Sequence, residues 1–124
     1  MENSSKKSLE GLEKMVVDMA IESWRFSRLF VKVATKLDAG EAAKYINQLR
    51  YFQKKIEDDL NDIELKMVVL EGHPFDAGMA VSVINMEDFE PQDVLVVDQM
   101  IEPIIMGPDG LKRSGVVTVR KVQQ

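Results

Sequence analysis

The chain contains no cysteine in its 124 residues and only one histidine. The missing thiols exclude disulfide bonds, thiol catalysis and every zinc site that depends on cysteine, and they fit a reducing compartment. The lone histidine, His73, has no second histidine with which to share a metal, and it stands in a Gly-His-Pro turn. The acidic residues between Glu57 and Glu64 alternate with apolar helix positions, which indicates a solvated face rather than a cation site. We therefore predict no metal site, no cofactor and no enzymatic activity.

Long apolar runs are also missing. No uninterrupted run approaches the roughly 20 residues of a membrane-spanning helix, and the first residues lead into a charged amphipathic stretch instead of the apolar core of a signal peptide. The formal net charge is −5, and no dense block of lysine and arginine offers a surface for nucleic acid. We expect a single cytoplasmic, globular protein that binds neither membrane nor nucleic acid.

What the sequence does contain, in its first half, is two stretches with helical spacing. Apolar residues recur at alternating steps of three and four, which predicts one helix over residues 8–37 and a second over residues 41–66. The short connection between them contains Gly40, which is suited to the end of a helix. Two helices joined by a short turn form an antiparallel hairpin.

Each predicted helix carries more apolar surface than one neighbour can cover. Beside the main stripe of the first helix runs a second stripe, formed by Val17, Ile21, Trp24 and Val31. The most economical solution is a homodimer in which two hairpins form a four-helix bundle. The alternative is that the spare faces pack on the second half of the same chain. The predicted dimer interface follows the main stripes and comprises Leu12, Val16, Met19, Phe26, Phe30, Ile46, Leu49 and Ile56.

Beyond residue 66 the composition changes to short β-branched runs separated by glycine, proline and aspartate. Such runs predict strands, and we expect five, at residues 67–70, 80–84, 93–97, 102–106 and 116–122. Gly107-Pro-Asp-Gly110 is expected to be a hairpin turn, and Pro103 marks a strand start or a sheet edge. No helix separates the strands, which favours a small antiparallel sheet or a barrel-like sandwich.

The predicted fold class is therefore α+β. An N-terminal antiparallel helical hairpin, half of a dimeric four-helix bundle, occupies the dimerisation region at residues 1–66. A small all-β domain follows at residues 67–124.

Three segments of the second half carry a resemblance to a known family. Glu71-Gly-His-Pro-Phe-Asp76 is similar to a Gly-x-Pro-Phe-Asp-Pro turn, and Phe89-Glu-Pro-Gln-Asp-Val94 is similar to a segment that ends in Pro-Gly-x-Val. Leu111-Lys-Arg-Ser-Gly-Val-Val-Thr-Val119 is similar to a Leu-Arg-Pro-Ala-x-Val-x-Val ending. The three segments occur in this order and follow a predicted pair of helices. In this arrangement they resemble the GrpE family, the nucleotide exchange factors of DnaK-type heat-shock chaperones. The resemblance covers roughly residues 10–122.

The resemblance implies a co-chaperone that acts without covalent chemistry. As a dimer it binds the ATPase domain of a DnaK-type chaperone, holds the nucleotide cleft open and thereby accelerates ADP release. The family's contact arginine aligns near Gly110, so Lys112 or Arg113 stands in for it. The predicted contact residues are Met100, Lys112, Arg113 and Val119. Each has an alternative role, because Val119 suits a sheet core and Arg113 suits a residue that only braces the sheet.

Two other functions fit the same sequence. One is a dimeric scaffold of GrpE fold that has no exchange activity. The other is a small acidic dimeric secretion chaperone, which keeps an effector unfolded for export and needs exposed apolar patches on its sheet. Direct binding to the ATPase domain of a DnaK-type chaperone distinguishes the proposed co-chaperone from the secretion chaperone.

Overall fold

The computed structural model describes residues 2–122, with side chains from residue 7 onward. The chain forms two compact units, Met1–Ile56 and Glu57–Gln124. Two helices, α1 (Glu2–Ala34) and α2 (Ala39–Asp62), precede the strands. The described strands are β1 (Lys66–Val68), β2 (Val81–Val83), β3 (Leu95–Glu102), β4 (Ile104–Gly107), β5 (Gly110–Arg113) and β6 (Gly115–Lys121). The predicted α+β class, with a helical hairpin followed by a small β region, is confirmed.

The connection between the helices differs from the prediction. The first helix ends at Ala34, and Gly40 lies in the first turn of α2, so the prediction that Gly40 ends the first helix is wrong. An Asp38 carboxylate oxygen accepts a hydrogen bond from the Glu41 N–H at 3.0 Å. Aspartate is a favoured N-cap because it satisfies a free N–H and its charge suits the positive end of the helix dipole. This cap starts the second helix two residues before the predicted start.

The end of α2 is also earlier than predicted, at Asp62 and not at residue 66. The Leu65 N–H donates to the Leu60 carbonyl at 2.9 Å, and the Glu64 N–H donates to the Asn61 carbonyl at 3.0 Å. Glu64 itself has a left-handed backbone, with φ of 62°. These are the two bonds of a Schellman motif, which closes a helix while its flanking apolar residues, here Leu60 and Leu65, are buried.

Within the helical unit, α1 buries the first half of its second stripe, Val17 and Ile21, whereas Trp24 is half-buried and Val31 is exposed. Val17, Ala20 and Ile21 are buried, and Ala34 continues the same face towards the end of the helix. Ser27 lies on this face and is also buried, and its hydroxyl donates to the Ser23 carbonyl at 2.7 Å. The covered face of α1 is therefore narrow and consists mostly of small side chains. The larger side chains of the main stripe, such as Met19 and Phe26, remain exposed.

The six strands form two three-stranded sheets, in the orders β1-β4-β5 and β2-β6-β3. Strands β2 and β6 run parallel, whereas the other pairs are antiparallel as expected. The strand β5 was not predicted, since Gly110–Arg113 has only one apolar residue. The predicted hairpin turn at Gly107–Gly110 is confirmed by the pairing of β4 with β5. Pro103 lies between β3 and β4, where the chain passes from one sheet to the other.

The core of the β unit consists of residues from both sheets, and Gly115 lies at its tightest point. A Cβ at this position would stand 3.0 Å from Ile104 Cγ1, 3.0 Å from Met100 Cε and 3.1 Å from the Glu102 carbonyl oxygen. Two of these neighbours are buried side chains and the third is backbone, so none can move away easily. The buried apolar residues of the sheets are Leu95, Val97, Met100, Ile104, Ile105, Val117 and Val119.

Candidate partner-binding surfaces

The main apolar stripe of α1 lies on the surface of the chain. We call Leu12, Val16, Met19, Phe26 and Phe30 the α1 seam. Met19 is 70% exposed and Phe26 is 61% exposed, and of the five only Phe30 is half-buried. The rings of Phe26 and Phe30 have their centroids 6.3 Å apart, so they form one aromatic patch. The seam is a row of mostly exposed apolar side chains along α1, interrupted by Ser23, and apolar surface of this kind marks interaction sites.

The three predicted interface residues of α2 have a different environment. Leu49 is buried in the single chain, and Ile46 and Ile56 are half-buried. Leu49 therefore has little surface left for a second copy. Tyr45 and Phe52, which are exposed and seven residues apart, share one face of α2 and were not in the predicted interface.

In the β unit, two of the four predicted contact residues have no surface to offer. Met100 and Val119 are each 2% exposed. The Met100 sulfur accepts a hydrogen bond from the Leu70 N–H at 3.1 Å, and the Met100 N–H donates to a Glu71 carboxylate oxygen at 2.9 Å. We therefore correct the predicted contact set, because both side chains belong to the core that shapes the sheets.

Val119 is held by a side chain that the sequence did not single out. The Asn85 carboxamide accepts from the Val119 N–H at 3.0 Å and donates to the Val119 carbonyl at 2.8 Å. The ladder between β2 and β6 ends at Val83, and Asn85 continues it with its amide. An asparagine just beyond a short strand was the available signal, but it is equally typical of a turn.

Lys112 and Arg113 lie in β5, the edge strand of the first sheet. Lys112 is exposed and Arg113 is half-buried, and the neighbouring Leu111 is also exposed. The register shifts between Ile105 and Met106, so two residues of β5 oppose one step of β4 there. Irregularities of this kind redirect side chains at a sheet edge. Of the predicted contact residues, these two remain candidates.

A groove in the β unit brings two of the motif segments together. Its volume is about 410 Å³, and its apolar lining consists of Phe75, Met86, Phe89, Pro91, Val94 and Leu95. We call it the Phe89 groove. The Phe75 N–H donates to the Leu95 carbonyl at 2.9 Å, and this bond places the first motif beside β3. The sequence analysis treated the two segments separately and did not predict the groove.

One wall of the Phe89 groove is a closed turn built on Asp93. The Glu90 N–H donates to an Asp93 carboxylate oxygen at 2.9 Å, and the Asp93 N–H donates to the Glu90 carbonyl at 3.0 Å. The Lys121 ammonium lies 3.3 Å from the other carboxylate oxygen. The Glu90 N–H, together with Lys121, holds the pKa of Asp93 below its ordinary value, against the opposing effect of partial burial.

His73 is exposed and contributes its backbone to the turn before β2. Its N–H donates to the Leu70 carbonyl, and its carbonyl accepts from the Val97 N–H. Among the side chains that the structure describes, no three histidine, aspartate or glutamate residues are grouped as metal ligands. Neither described helix is long and apolar enough to cross a membrane.

No protein-family model, no curated protein and no solved structure matches this chain.

Proposed function

We propose that this chain is a nucleotide exchange factor of the GrpE type, which binds the ATPase domain of a DnaK-type chaperone in the cytoplasm. The observation that carries the proposal is the placement of the three motif segments in one β unit that follows a helical hairpin. The first lies between β1 and β2, the second immediately precedes β3, and the third runs from β5 of one sheet into β6 of the other. This chain order of helical hairpin and β unit is the one that the GrpE resemblance implies.

The proposed active form is a homodimer that covers the α1 seam. Full burial of one large apolar side chain contributes about 1.5–3 kcal/mol. The four exposed residues of the seam, whose exposure ranges from 39% for Val16 to 70% for Met19, are present on two chains. Their burial therefore supplies a free energy comparable with the roughly 4–15 kcal/mol cost of association. Tyr45 and Phe52 on α2 extend the same kind of surface.

The proposed contact face is the exposed edge strand β5. It presents the cation of Lys112 beside the apolar side chain of Leu111, with Arg113 half-buried next to them. Met100 and Val119 belong to the buried core of the same β unit and not to this face. This core position replaces the direct contact that the sequence predicted for them.

The proposed mechanism is a shift between two states of the chaperone. A partner that binds the open nucleotide cleft more tightly than the closed one favours opening by the difference between its two affinities. Since coupling between two sites is reciprocal, ADP weakens the binding of this protein by the same factor by which this protein weakens the binding of ADP. No group on this chain has to react.

The test is the dissociation rate of a fluorescent ADP analogue from a DnaK-type chaperone of the same organism. We expect this protein to accelerate release until the effect saturates. The double variant Lys112→Glu, Arg113→Glu should need about ten-fold more protein for the same acceleration, because it replaces attraction at the contact face with repulsion.

A matched control for the charge change is the double variant Lys44→Glu, Arg50→Glu, which alters exposed residues of α2 and should accelerate release normally. If the contact variant equals the wild type, the contact face is wrong. If a folded wild-type dimer accelerates none of the organism's DnaK-type chaperones, the exchange function is wrong, and the scaffold alternative takes its place.

A further inference from the structure

We propose that the Phe89 groove is a second binding surface, for a peptide segment of another protein in which a large apolar side chain is flanked by lysine or arginine. This inference goes beyond the exchange function and does not depend on it. It rests on three features of the groove: an apolar lining of suitable size, an acidic rim, and walls that are already fixed.

The size and lining of the groove suit an apolar anchor. Its volume of about 410 Å³ falls in the range of pockets that hold small ligands, roughly 300–1,000 Å³. Phe75, Phe89 and Leu95 supply its apolar surface, and Val94 is 60% exposed although it lines the groove. An apolar side chain inserted here would cover surface that the chain itself leaves in contact with water.

The rim of the groove is acidic and selects the partner's charge. Glu90 lines the groove and is exposed, and the exposed Glu87 and Asp88 stand in the chain between the lining residues Met86 and Phe89. The segment 86–93 contains no basic residue. Lys121 pairs with Asp93, at 3.3 Å, and Asp93 belongs to the wall of the groove. A basic segment therefore gains attraction at the rim, whereas an acidic one is repelled. A second copy of this chain, with its net charge of −5, is disfavoured for the same reason.

The walls of the groove are already fixed. The two reciprocal hydrogen bonds between Glu90 and Asp93 close one wall, and Pro74 pairs with Val96 on the other side. Phe89 follows a short 3-10 helix and is anchored by its N–H, which donates to the Met86 carbonyl at 3.1 Å. A preformed surface binds at a smaller entropic cost than one that has to be ordered by its ligand.

The test uses the full chain and three fluorescein-labelled peptides with a common Leu-Phe-Leu centre, flanked on both sides by Lys-Arg, by Ser-Gly or by Glu-Asp. We expect fluorescence anisotropy to show that the basic peptide binds at least about ten-fold more tightly than the acidic one, with the neutral peptide between them. Nuclear magnetic resonance should show the largest shifts at the Met86 methyl group and at the amides of Phe89 and Val94.

Two matched variants assign the binding to the groove. Val94→Lys places a long cation in the groove at an exposed position and should weaken binding of the basic peptide by about ten-fold or more. Val69→Lys makes the same change at an exposed residue of the same unit that does not line the groove, and it should bind as the wild type does.

Four results would each overturn the proposal. They are equal binding of the basic and acidic peptides, shifts centred outside the groove, unchanged binding by Val94→Lys, and groove signals that move with protein concentration when no peptide is present. The last result would identify a second copy of the chain as the occupant. None of these readouts measures ADP release. The exchange function can therefore fail while the groove proposal holds, and the groove proposal can fail while the exchange function holds.

Discussion

The two units of this chain treat their apolar side chains in opposite ways. In residues 7–56, exposed large apolar side chains outnumber buried ones, and the largest of them, such as Met19 and Phe26, lie outside. In residues 57–122 the balance is reversed, and Val97, Ile105 and Val117 have no measurable exposure. A single chain therefore completes the core of its β unit but leaves the apolar surface of its helical unit uncovered.

The difference follows from how each kind of structure covers its apolar groups. Two helices meet along one narrow stripe each, so side chains at other positions of a broad apolar helix need further neighbours. In the β unit, both small sheets contribute side chains to a common core, with Pro103 at the crossing between them. We infer that the helical unit needs association for its full stability, whereas the β unit does not.

The largest expected effect comes from a charge in the α1 seam. Phe26→Asp should weaken dimerisation by about 100-fold or more, since an unpaired carboxylate in an apolar interface costs several kcal/mol. Sedimentation velocity would show monomer at concentrations where the wild type is dimeric. Tyr51→Asp, at an exposed position of α2 away from the buried stripe, is the control and should leave the dimer intact. A stable folded wild-type monomer at micromolar concentration would contradict the dimer prediction.

The next effect isolates the β unit. Asn85→Ala removes both partners of the Val119 backbone groups, and we expect it to lower the free energy of unfolding by about 2–4 kcal/mol. Amide hydrogen exchange in β2 and β6 should report the loss. Trp24, the only tryptophan, lies in α1, so its fluorescence transition in urea should not move. Asn85→Asp retains the acceptor but faces the Val119 carbonyl with a carboxylate oxygen, which cannot donate, so it should not restore the lost stability. An equal shift in both probes would show that the units unfold as one.

A smaller, stabilising effect is expected at the end of α2. Glu64 has a left-handed backbone, which costs a non-glycine residue about 1 kcal/mol. Glu64→Gly should therefore stabilise the chain by about 0.5–1 kcal/mol. Part of this gain is offset because glycine increases the conformational entropy of the unfolded state. Glu64→Ala removes the same side chain but keeps the strain, so it should bring no gain. The midpoint of thermal unfolding measures both variants.

The smallest effect concerns acid. The pKa of Asp93 is below its ordinary value in the folded chain, so its contribution to stability is complete above the unfolded pKa, about 3.9. That contribution is lost as the pH falls through the lower folded value. Asp93→Asn should be slightly less stable at pH 7 and should lose less stability on acidification below pH 4. Parallel curves for the two proteins, from chemical denaturation, would contradict the role assigned to this carboxylate.

The sequence predicted the order of the elements because each has a strong local signal. Steps of three and four marked both helices, and β-branched runs marked most strands. The helix ends were less well predicted. Asp38 is a residue type favoured as a helix cap, a signal that the prediction did not use, whereas the left-handed conformation of Glu64 is a feature of backbone geometry. The parallel pairing of β2 with β6 joins segments more than thirty residues apart, and no local pattern specifies such a partner.

The candidate sites were less predictable than the fold. The α1 seam was visible as a periodic stripe, although the same periodicity could not say which of two stripes the chain would cover itself. Met100 and Val119 were chosen by resemblance, and an apolar residue in a strand has no signal that separates a contact from a core position. The Phe89 groove forms where two segments distant in sequence meet beside β3. No local sequence pattern predicts that these two segments meet.

The position of β6 has a consequence for how the chain folds. This strand lies in the centre of its sheet, yet it follows both of its neighbours, β2 and β3, in the sequence. During synthesis, those two strands have no partner in their sheet until residues 115–121 leave the ribosome. The helices, by contrast, form through contacts close in sequence. Since such distant pairings slow folding, the helical hairpin should form early, and closure of this sheet should limit the rate.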